Sequence, residues 1–417
     1  MNIYLAIIVF SLIAAYALES VGQLLNIRAL EPELPEEFED TFDEEKYRRS
    51  QEYTKECTKL NLISSTVNLA VLLSFIFLGG FPWLDSLLVD LGLPPLFTGL
   101  LFFAVLVSAQ AILGEPFDLY KTFVLEEKYG FNKMGIKTYL GDKLKELVLS
   151  LCIGIPVLAV FLLFFQNFAT WGWLYAWVFI VLVMIVLQYV APTWIMPLFN
   201  KFTPLEEGEL KTKIRDYAEK MGFDLSGIYV MDGSKRSTKS NAFFTGFGKK
   251  KRIALFDTLI EKHQPDELLS VLAHEVGHFK LKHILKNMLL GICKTGILLY
   301  VMSFFITYPP LFHAFGMQNV SVYAGLVFFS LLYTPISIIL SLFLNMLSRK
   351  YEFQADKFAA RTTGDAENLI QALKSLSADN LSNLTPHPFY VFMEYSHPPV
   401  LQRIRELRQY EFSRIKP

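Results

Sequence analysis

Two histidines and a glutamate are spaced so that together they could bind a metal ion and activate a water molecule on it. His274, Glu275 and His278 fall in the sequence His-Glu-Val-Gly-His, inside a stretch with the pattern of a helix. Histidines four residues apart on a helix point about 40° apart, so both imidazoles can bind one tetrahedral zinc ion. Glu275 is then positioned to take a proton from a water molecule activated by that ion. His283, nine residues after His274, falls about 180° round the same helix and is not expected to be a ligand.

A catalytic zinc ion has three protein ligands and one open position, so a third ligand must come from another part of the chain. Glu352 and Asp356 are four residues apart on a predicted helix that follows the last long apolar stretch. One carboxylate could bind the metal while the other orients a ligand histidine by a hydrogen bond. From the residues alone, a solvated pair of acids on an amphipathic helix explains the same pattern.

The composition predicts an integral membrane protein. Of its 417 residues, 53% are hydrophobic and 19% are charged, whereas typical soluble domains contain about 25% charged residues. Apolar stretches long enough to approach the roughly 20 residues of a membrane span occur seven times. They cover residues 2–18, 62–81, 96–113, 147–165, 171–191, 288–308 and 323–347.

Charge and cysteine content exclude two other classes. The net charge of −1 provides no basic field that could hold nucleic acid, so no nucleic-acid partner is expected. The three cysteines, Cys57, Cys152 and Cys293, are far apart and form no Cys-x-x-Cys pair. They predict neither a disulfide scaffold nor a cysteine metal site.

The connecting segments predict the orientation in the membrane. Segments 82–95, 166–170 and 309–322 contain no Lys or Arg, whereas the alternate segments and the C-terminal region contain nearly all of them. Because Lys and Arg are retained on the cytoplasmic side, we expect the N-terminus outside and the C-terminus in the cytoplasm.

Two predicted cytoplasmic segments are long enough to fold together as one α+β domain. The first has the pattern of a helix over 204–221, a strand over 227–231, a hairpin of 241–247 with 252–256, and a helix over 264–282. The second is mostly helical, and Pro398 and Pro399 are suited to open its final helix. The expected division is spans one to five in 1–191, a catalytic segment in 192–282, spans six and seven in 283–347, and a second catalytic segment in 348–417.

Further motifs extend the pattern over most of the chain. They are Pro116-Phe117 through Gly130-Phe131-Asn132-Lys133, the block 237–259 with Asn241-Ala242-Phe243, Glu352-x-x-x-Asp356-x-x-Ala359, and Ser396-His397-Pro398-Pro399 with Arg403. With His274 to His278, these motifs resemble the zinc-dependent CAAX prenyl protease family (type 1) of integral-membrane metalloendopeptidases. The resemblance implies a predominantly α-helical fold, in which seven transmembrane helices form a barrel round a chamber. A small α+β zinc-protease domain would lie on its cytoplasmic face.

The resemblance also implies roles for individual residues. It makes His274, His278 and Glu352 the ligands of one zinc ion per chain, and Glu275 the general base. Asp356 would orient a ligand histidine without binding the metal itself, and His397 would donate a hydrogen bond to the developing oxyanion. Arg403 would pair with a carboxylate near the zinc, and the sequence does not say which. Asn241, Ala242 and Phe243 would form a substrate-binding strand, although Asn241 is equally well explained as a turn residue.

The function predicted from these features is hydrolysis of peptide bonds near the membrane surface, at the C-termini of substrates with or without a prenyl group. The expected partners are a peptide or protein substrate and the lipid bilayer. A short sixth segment and the lack of a C-terminal retention signal favour a prokaryotic member in a bacterial inner membrane; in a eukaryote the endoplasmic reticulum is expected. A quality-control protease of the heat-shock type is the alternative within the enzymes. A transporter or an inactive scaffold would leave His274, Glu275 and His278 without a use.

Overall fold

The long apolar stretches fold as helices that make up the N-terminal half of the molecule. The computed structural model describes residues 2–168, 170–223, 225–245 and 251–415. The helices of this half are α1 (Ile3–Arg28), α2 (Glu44–Phe77), α3 (Gly80–Val89), α4 (Pro95–Tyr120), α5 (Ile136–Leu149), α6 (Ile155–Asn167), α7 (Gly172–Val190) and α8 (Met196–Phe199). Short π-helical turns at Lys121–Glu126, Ser150–Gly154 and Ala191–Ile195 extend α4, join α5 to α6 and join α7 to α8.

The C-terminal half contains two more membrane helices and a mixed α/β part. Its elements are β1 (Phe202–Pro204), α9 (Glu209–Lys220), β2 (Leu225–Met231), β3 (Ala242–Thr245), β4 (Lys251–Phe256), α10 (Asp257–Lys262), α11 (Pro265–Lys280), α12 (His283–Phe305), α13 (Pro309–Ala314), α14 (Val322–Leu332), α15 (Thr334–Thr363), α16 (Glu367–Asp379), α17 (Pro388–Glu394) and α18 (Val400–Ile415).

The number of helices that could cross a membrane agrees with the seven predicted stretches. Among the described residues, six helices are long and apolar enough to cross a bilayer, and α14 with α15 supplies a seventh span if the pair is counted as one. The pair is bent by 57°, whereas the sequence suggested one continuous span over 323–347. Pro335, in the first turn of α15, lacks the N–H that would continue the hydrogen bonding of α14, so the helix breaks there.

The membrane helices are little buried within the protein. In each of the six single spans, only 6–17% of the most apolar 18-residue window is buried. Polar side chains are accommodated along these helices, and the Gln110 amide of α4 donates a hydrogen bond of 3.3 Å to Asn68 of α2. Lys294 of α12 is exposed within its span. Polar side chains within a membrane span require a polar partner or polar surroundings.

Two short helices pack between the membrane helices at the end opposite the metal-binding motifs. The short helices α3 and α13 lie there and bury Leu84 and Phe312 against Phe102 of α4 and Phe328 of α14. Phe315 stacks on Phe328 with ring centroids 3.9 Å apart. The two segments without Lys or Arg that contain these helices therefore form an apolar plug.

Both predicted catalytic segments contribute to a single hydrophobic core outside the membrane helices. Ile214 of α9 and Leu272 of α11 share this core with Ala359 of α15, Leu373 of α16 and Ile404 of α18. The sheet has the order β1-β2-β4-β3, with β2 and β4 parallel and the outer pairs antiparallel. Strand β3 is consequently an edge strand, and α11 packs beside it.

Several predicted boundaries in this domain need correction. The helix predicted over 204–221 is α9, which begins only at Glu209, because Phe202–Pro204 pairs with β2 as a short strand. The hairpin is present as β3 and β4, and its predicted residues 246 and 247 lie outside the described residues. The helix predicted over 264–282 is α11, which ends at Lys280. The final helix opens directly after Pro399, as predicted.

Candidate metal centre

The site forms where α11 crosses α15, and small residues at the crossing set the distance between the helices. A Cβ atom on Gly277 would lie 3.2 Å from the Cα atom of Ala355 and 3.1 Å from the ring of Phe358. Both distances are tighter than ordinary contacts, so a larger residue at position 277 would push the helices apart. Gly277 of α11 thus brings His274 and His278 within reach of Glu352 on α15.

Three potential ligand atoms converge at this crossing. The Nε2 atoms of His274 and His278 are 3.1 Å apart. The Glu352 carboxylate faces both, with Oε2 3.4 Å from the Nε2 atom of His274 and Oε1 3.3 Å from that of His278. Among the described residues, these three form the one group of histidine, cysteine or acidic side chains whose ligand atoms all lie within 4.8 Å of one another.

The donor set fits a tetrahedral zinc ion. Ligands about 2.0–2.2 Å from such an ion lie about 3.3–3.6 Å from one another. The two Nε2 atoms are 3.1 Å apart, and each lies 3.3–3.4 Å from a different oxygen of Glu352, which is within about 0.2 Å of this range. Electron-rich atoms at such distances repel one another unless a metal cation or a shared proton lies between them. Two histidine nitrogens and one carboxylate are also a usual protein donor set of catalytic zinc.

An ion pair between Asp356 and Arg403 holds the His274 ring on its Nδ1 side. The Nδ1 atom of His274 is 2.8 Å from the Oδ1 atom of Asp356. Arg403 donates from Nε to Oδ2 of Asp356 at 2.8 Å and from Nη2 to Oδ1 at 2.6 Å. This two-point contact answers the question that the sequence left open, because the carboxylate that Arg403 pairs with is Asp356. With Nδ1 engaged, the Nε2 atom of His274 is directed at Glu352.

The surroundings of His274 favour positive charge at its ring. Burial alone would lower the pKa of the imidazole, but its hydrogen bonds with Asp356 and Glu352 outweigh that effect and raise the pKa to about 9. Carboxylates that stabilise a proton on this ring also stabilise a metal cation bound to it.

Glu275 lies beside the three converging side chains and lines the same cavity of about 460 Å³. It is half-buried, and its carboxylate makes no hydrogen bond or ion pair within the described part of the chain. A proton acceptor needs such a free lone pair. The position one residue after His274 therefore places a free carboxylate next to the predicted metal.

His397 reaches the cluster from the loop between α17 and α18. Its Nε2 atom lies 3.4 Å from the Oε1 atom of Glu352, and its side chain is 66% exposed. The Ser396 hydroxyl and the His397 Nδ1 atom are hydrogen-bonded at 3.0 Å. Arg349, one turn before Glu352 on α15, donates to the carbonyl oxygens of Val391 and Tyr395. The loop that carries His397 is thereby tied to the helix that carries Glu352, a link that the sequence analysis missed.

Strand β3 enters the cavity by its N-terminal end. Asn241 and Ala242 line the cavity together with His274 and Glu275. Phe243, which the sequence analysis grouped with them, makes its ring contact with Phe256 on β4, with centroids 6.2 Å apart. Successive side chains of a strand point to opposite faces, which separates Phe243 from Ala242.

The residues ahead of Asn241 are held by a loop from the membrane half. The backbone N–H of Thr238 donates to the carbonyl of Phe131, and that of Lys133 donates to the carbonyl of Arg236. Two motifs that are far apart in the sequence, 130–133 and the start of 237–259, therefore pair directly. Arg236 also forms an ion pair of 2.8 Å with Asp142 of α5, which fixes the approach to β3.

Comparisons with known proteins agree over nearly the whole chain. Residues 23–201 match a family described as CAAX prenyl protease N-terminal, five membrane helices, and residues 204–411 match peptidase family M48. CAAX prenyl protease 1 of Saccharomyces cerevisiae is 35% identical over 95% of this chain and 93% of its own length. This chain belongs to the CAAX prenyl proteases of peptidase family M48. A homologue of that protease from Oryza sativa is 36% identical, and 97% of each chain is covered.

The structural comparison extends the family membership to the fold. The crystal structure of S. mikatae Ste24p matches with a TM-score of 0.92 and 35% identity, over 97% of this chain and 99% of that one. As a CAAX prenyl protease family member, the protein is a multi-pass membrane metallopeptidase built as a helical chamber with an attached protease domain. The predicted family and fold class are confirmed, and a metal and a peptide substrate follow from the membership. The transporter and scaffold alternatives are set aside.

In this metallopeptidase, the placement predicted for His283 is wrong. The prediction assumed that the helix of His274 continues, but α11 ends at Lys280, and Lys282 has a left-handed backbone with φ of +60°. After this turn the chain continues as α12, and His283 points back toward His278, with their Nδ1 atoms 3.2 Å apart. His283 is not among the three converging ligands. Its hydrogen-bonding partner Gln354 was also missed, since neither spacing nor residue type distinguishes it.

Proposed function

We propose that this protein is a zinc endopeptidase that binds one zinc ion per chain through His274, His278 and Glu352. The observation that supports this proposal best is the convergence of three donor groups: the two Nε2 atoms are 3.1 Å apart, and each lies 3.3–3.4 Å from an oxygen of the Glu352 carboxylate, close to the spacing of ligands around a tetrahedral ion. When bound, zinc polarises a carbonyl group and lowers the pKa of a water molecule.

The surrounding side chains have separate tasks in peptide hydrolysis. Glu275 accepts a proton from the attacking water, because its carboxylate is free and lies in the same cavity as the ligands. It then delivers this proton to the leaving amine. His397 donates a hydrogen bond to the oxygen that becomes negatively charged, and its exposed position lets it reach a bound substrate. Asp356 and Arg403 hold His274 in one tautomer and orientation.

We propose further that the substrate binds as an extended peptide along the edge of β3. This edge strand reaches the cavity at Asn241 and Ala242, and its unpaired side can hydrogen-bond a peptide backbone. The names of the relatives indicate prenylated C-terminal substrates. A prenyl group anchors a peptide at the membrane surface, next to a cavity whose lining continues onto the first two turns of the membrane helix α12 at Ile284 and Asn287.

Cleavage of matched peptides tests this function. The detergent-purified protein is incubated with a farnesylated C-terminal peptide and with the same peptide lacking the lipid, each with and without a zinc chelator. We expect chelator-sensitive cleavage, faster for the farnesylated peptide, and recovery of activity when zinc is restored. Equal cleavage rates on both peptides would contradict the preference for a prenyl group but not the proposed peptidase activity. Cleavage that persists after complete zinc removal would contradict the zinc mechanism.

We also propose that the protease domain faces the cytoplasm and the plug of α3 and α13 faces outside. The absence of Lys and Arg from the segments that contain α3 and α13 supports this orientation. A single cysteine at Asn319 is expected to react with an impermeant maleimide from outside only.

The labelling experiment uses a background in which Cys57, Cys152 and Cys293 are replaced, because Cys152 and Cys293 are exposed. Lys220→Cys, at the exposed end of α9 in the protease domain, is the matched control and should react only after the membrane is opened. Labelling of the Asn319 position only from the cytoplasmic face reverses the proposed orientation.

A further inference from the structure

Two ligand histidines need two orienting contacts, and Asp356 serves only one of them. The Nε2 atom of His278 faces His274 and Glu352, at 3.1 and 3.3 Å, so its lone pair must point at the metal position. A neutral imidazole with a free Nε2 lone pair carries its proton on Nδ1. That proton requires an acceptor next to Nδ1, on the side of the His278 ring opposite to Nε2.

His283 supplies this acceptor. Its Nδ1 atom is 3.2 Å from the Nδ1 atom of His278. Its own Nε2 atom is 3.0 Å from the Oε1 atom of Gln354. An amide oxygen can only accept, so the proton of a neutral His283 is on Nε2 and its Nδ1 lone pair is free to accept from His278. The two imidazole N–H groups of this chain then each meet one acceptor.

The position of His283 is rigid. The side chain is 1% exposed and stacks on the ring of Tyr351, with centroids 4.1 Å apart and planes within 10°. The left-handed turn at Lys282 starts α12 at this residue and turns it toward α15. Tyr351 and Gln354 flank Glu352 on α15, so the contacts that hold His283 come from the helix that supplies the third ligand.

We propose that His283 and Gln354 are positioning residues for His278, forming the counterpart of Asp356 and Arg403 behind His274. They set the tautomer and the ring orientation of His278 and strengthen its Nε2 atom as a metal ligand. This inference rests on the proposed zinc site. The two histidines differ in what supports them, because His274 is backed by a carboxylate and an arginine while His278 is backed by neutral groups.

The zinc affinity of full-length variants tests this proposal without reference to activity. His283→Phe keeps a ring to stack on Tyr351 but removes the acceptor, and Gln354→Leu removes the next acceptor. Loss of such an outer partner typically weakens metal binding about 10- to 100-fold, and we expect this loss for His283→Phe and a smaller loss for Gln354→Leu. His283→Asn places an amide oxygen near the former Nδ1 atom and should restore affinity to within a few-fold of the parent. Affinity is measured by competition with a chromophoric chelator.

The outcomes separate this inference from the zinc site itself. Parental affinity in both His283→Phe and Gln354→Leu overturns it, as does a His283→Asn variant no better than His283→Phe. If His283→Phe fails to fold, Gln354→Leu decides, since it leaves the stack on Tyr351 in place. His278→Ala is the reference: if it binds zinc as the parent does, the proposed zinc site is wrong. If it loses zinc while the other variants keep parental affinity, only the role of His283 and Gln354 is wrong.

Discussion

Replacing Glu275 by Gln is expected to abolish peptide cleavage while the protein keeps its metal. The amide has nearly the shape of the carboxylate but cannot accept the proton that the attacking water loses. Loss of a general base typically slows a reaction about 10²- to 10⁴-fold. The metal should remain, because the three converging ligand atoms belong to His274, His278 and Glu352. Cleavage rate and zinc content are measured on the same preparation, the latter by elemental analysis.

Glu261→Gln is the matched control for this variant. Glu261 is an exposed glutamate on α10, outside the cavity that Glu275 lines, and the same isosteric change there should leave the cleavage rate at the parental level. A Glu275→Gln protein that cleaves at near the parental rate with zinc in place would show that another group accepts the proton.

Replacing Glu352 by Ala is expected to remove both the metal and the activity. Glu352 provides the one carboxylate of the cluster, and its two oxygens face both histidines. The change deletes a ligand, and the partly buried Arg403 loses one of the two carboxylates near its guanidinium group. Zinc affinity should therefore fall by more than the about 10- to 100-fold typical of an outer partner. Chelator competition on the purified variant measures the loss.

Glu367→Ala removes an exposed glutamate at the start of α16 and serves as the control. It should bind one zinc ion with parental affinity. Full zinc retention by Glu352→Ala would remove Glu352 from the ligand set and would leave the third ligand to be sought on another element. Unfolding must be excluded by comparing the thermal transitions of the two variants, because Glu352 is buried.

Local sequence patterns predicted those parts of the protein that short-range physics determines. The apolar runs became membrane helices because a helix pairs all the backbone groups of a span within the span itself. The spacing of His274 and His278 placed their rings together because residues four apart share a helix face. The β3–β4 hairpin followed from its strand pattern, and the final helix began after Pro399.

Contacts between distant segments decided what the local pattern could not. From the residue spacing alone, either Glu352 or Asp356 could be the third ligand. The crossing of α11 and α15 at Gly277 and Ala355 determined which carboxylate faces the two Nε2 atoms. The same crossing placed Asp356 behind His274, where Arg403 reaches it from α18. These choices depend on the distance and angle between helices, which periodicity within one helix does not specify.

The clearest difference between sequence and structure is at His283. By itself, the sequence determined that two histidines and an acid could hold a metal beside the membrane, and it predicted a helix continuing past Lys282. Only the tertiary structure decided that the helix ends at Lys280 and that a left-handed turn at Lys282 brings His283 back to His278. A non-glycine residue adopts that conformation at a cost of about 1–2 kcal/mol. Stacking on Tyr351 and the hydrogen bond to Gln354 offset this cost, and both partners come from a helix about 70 residues further along the chain.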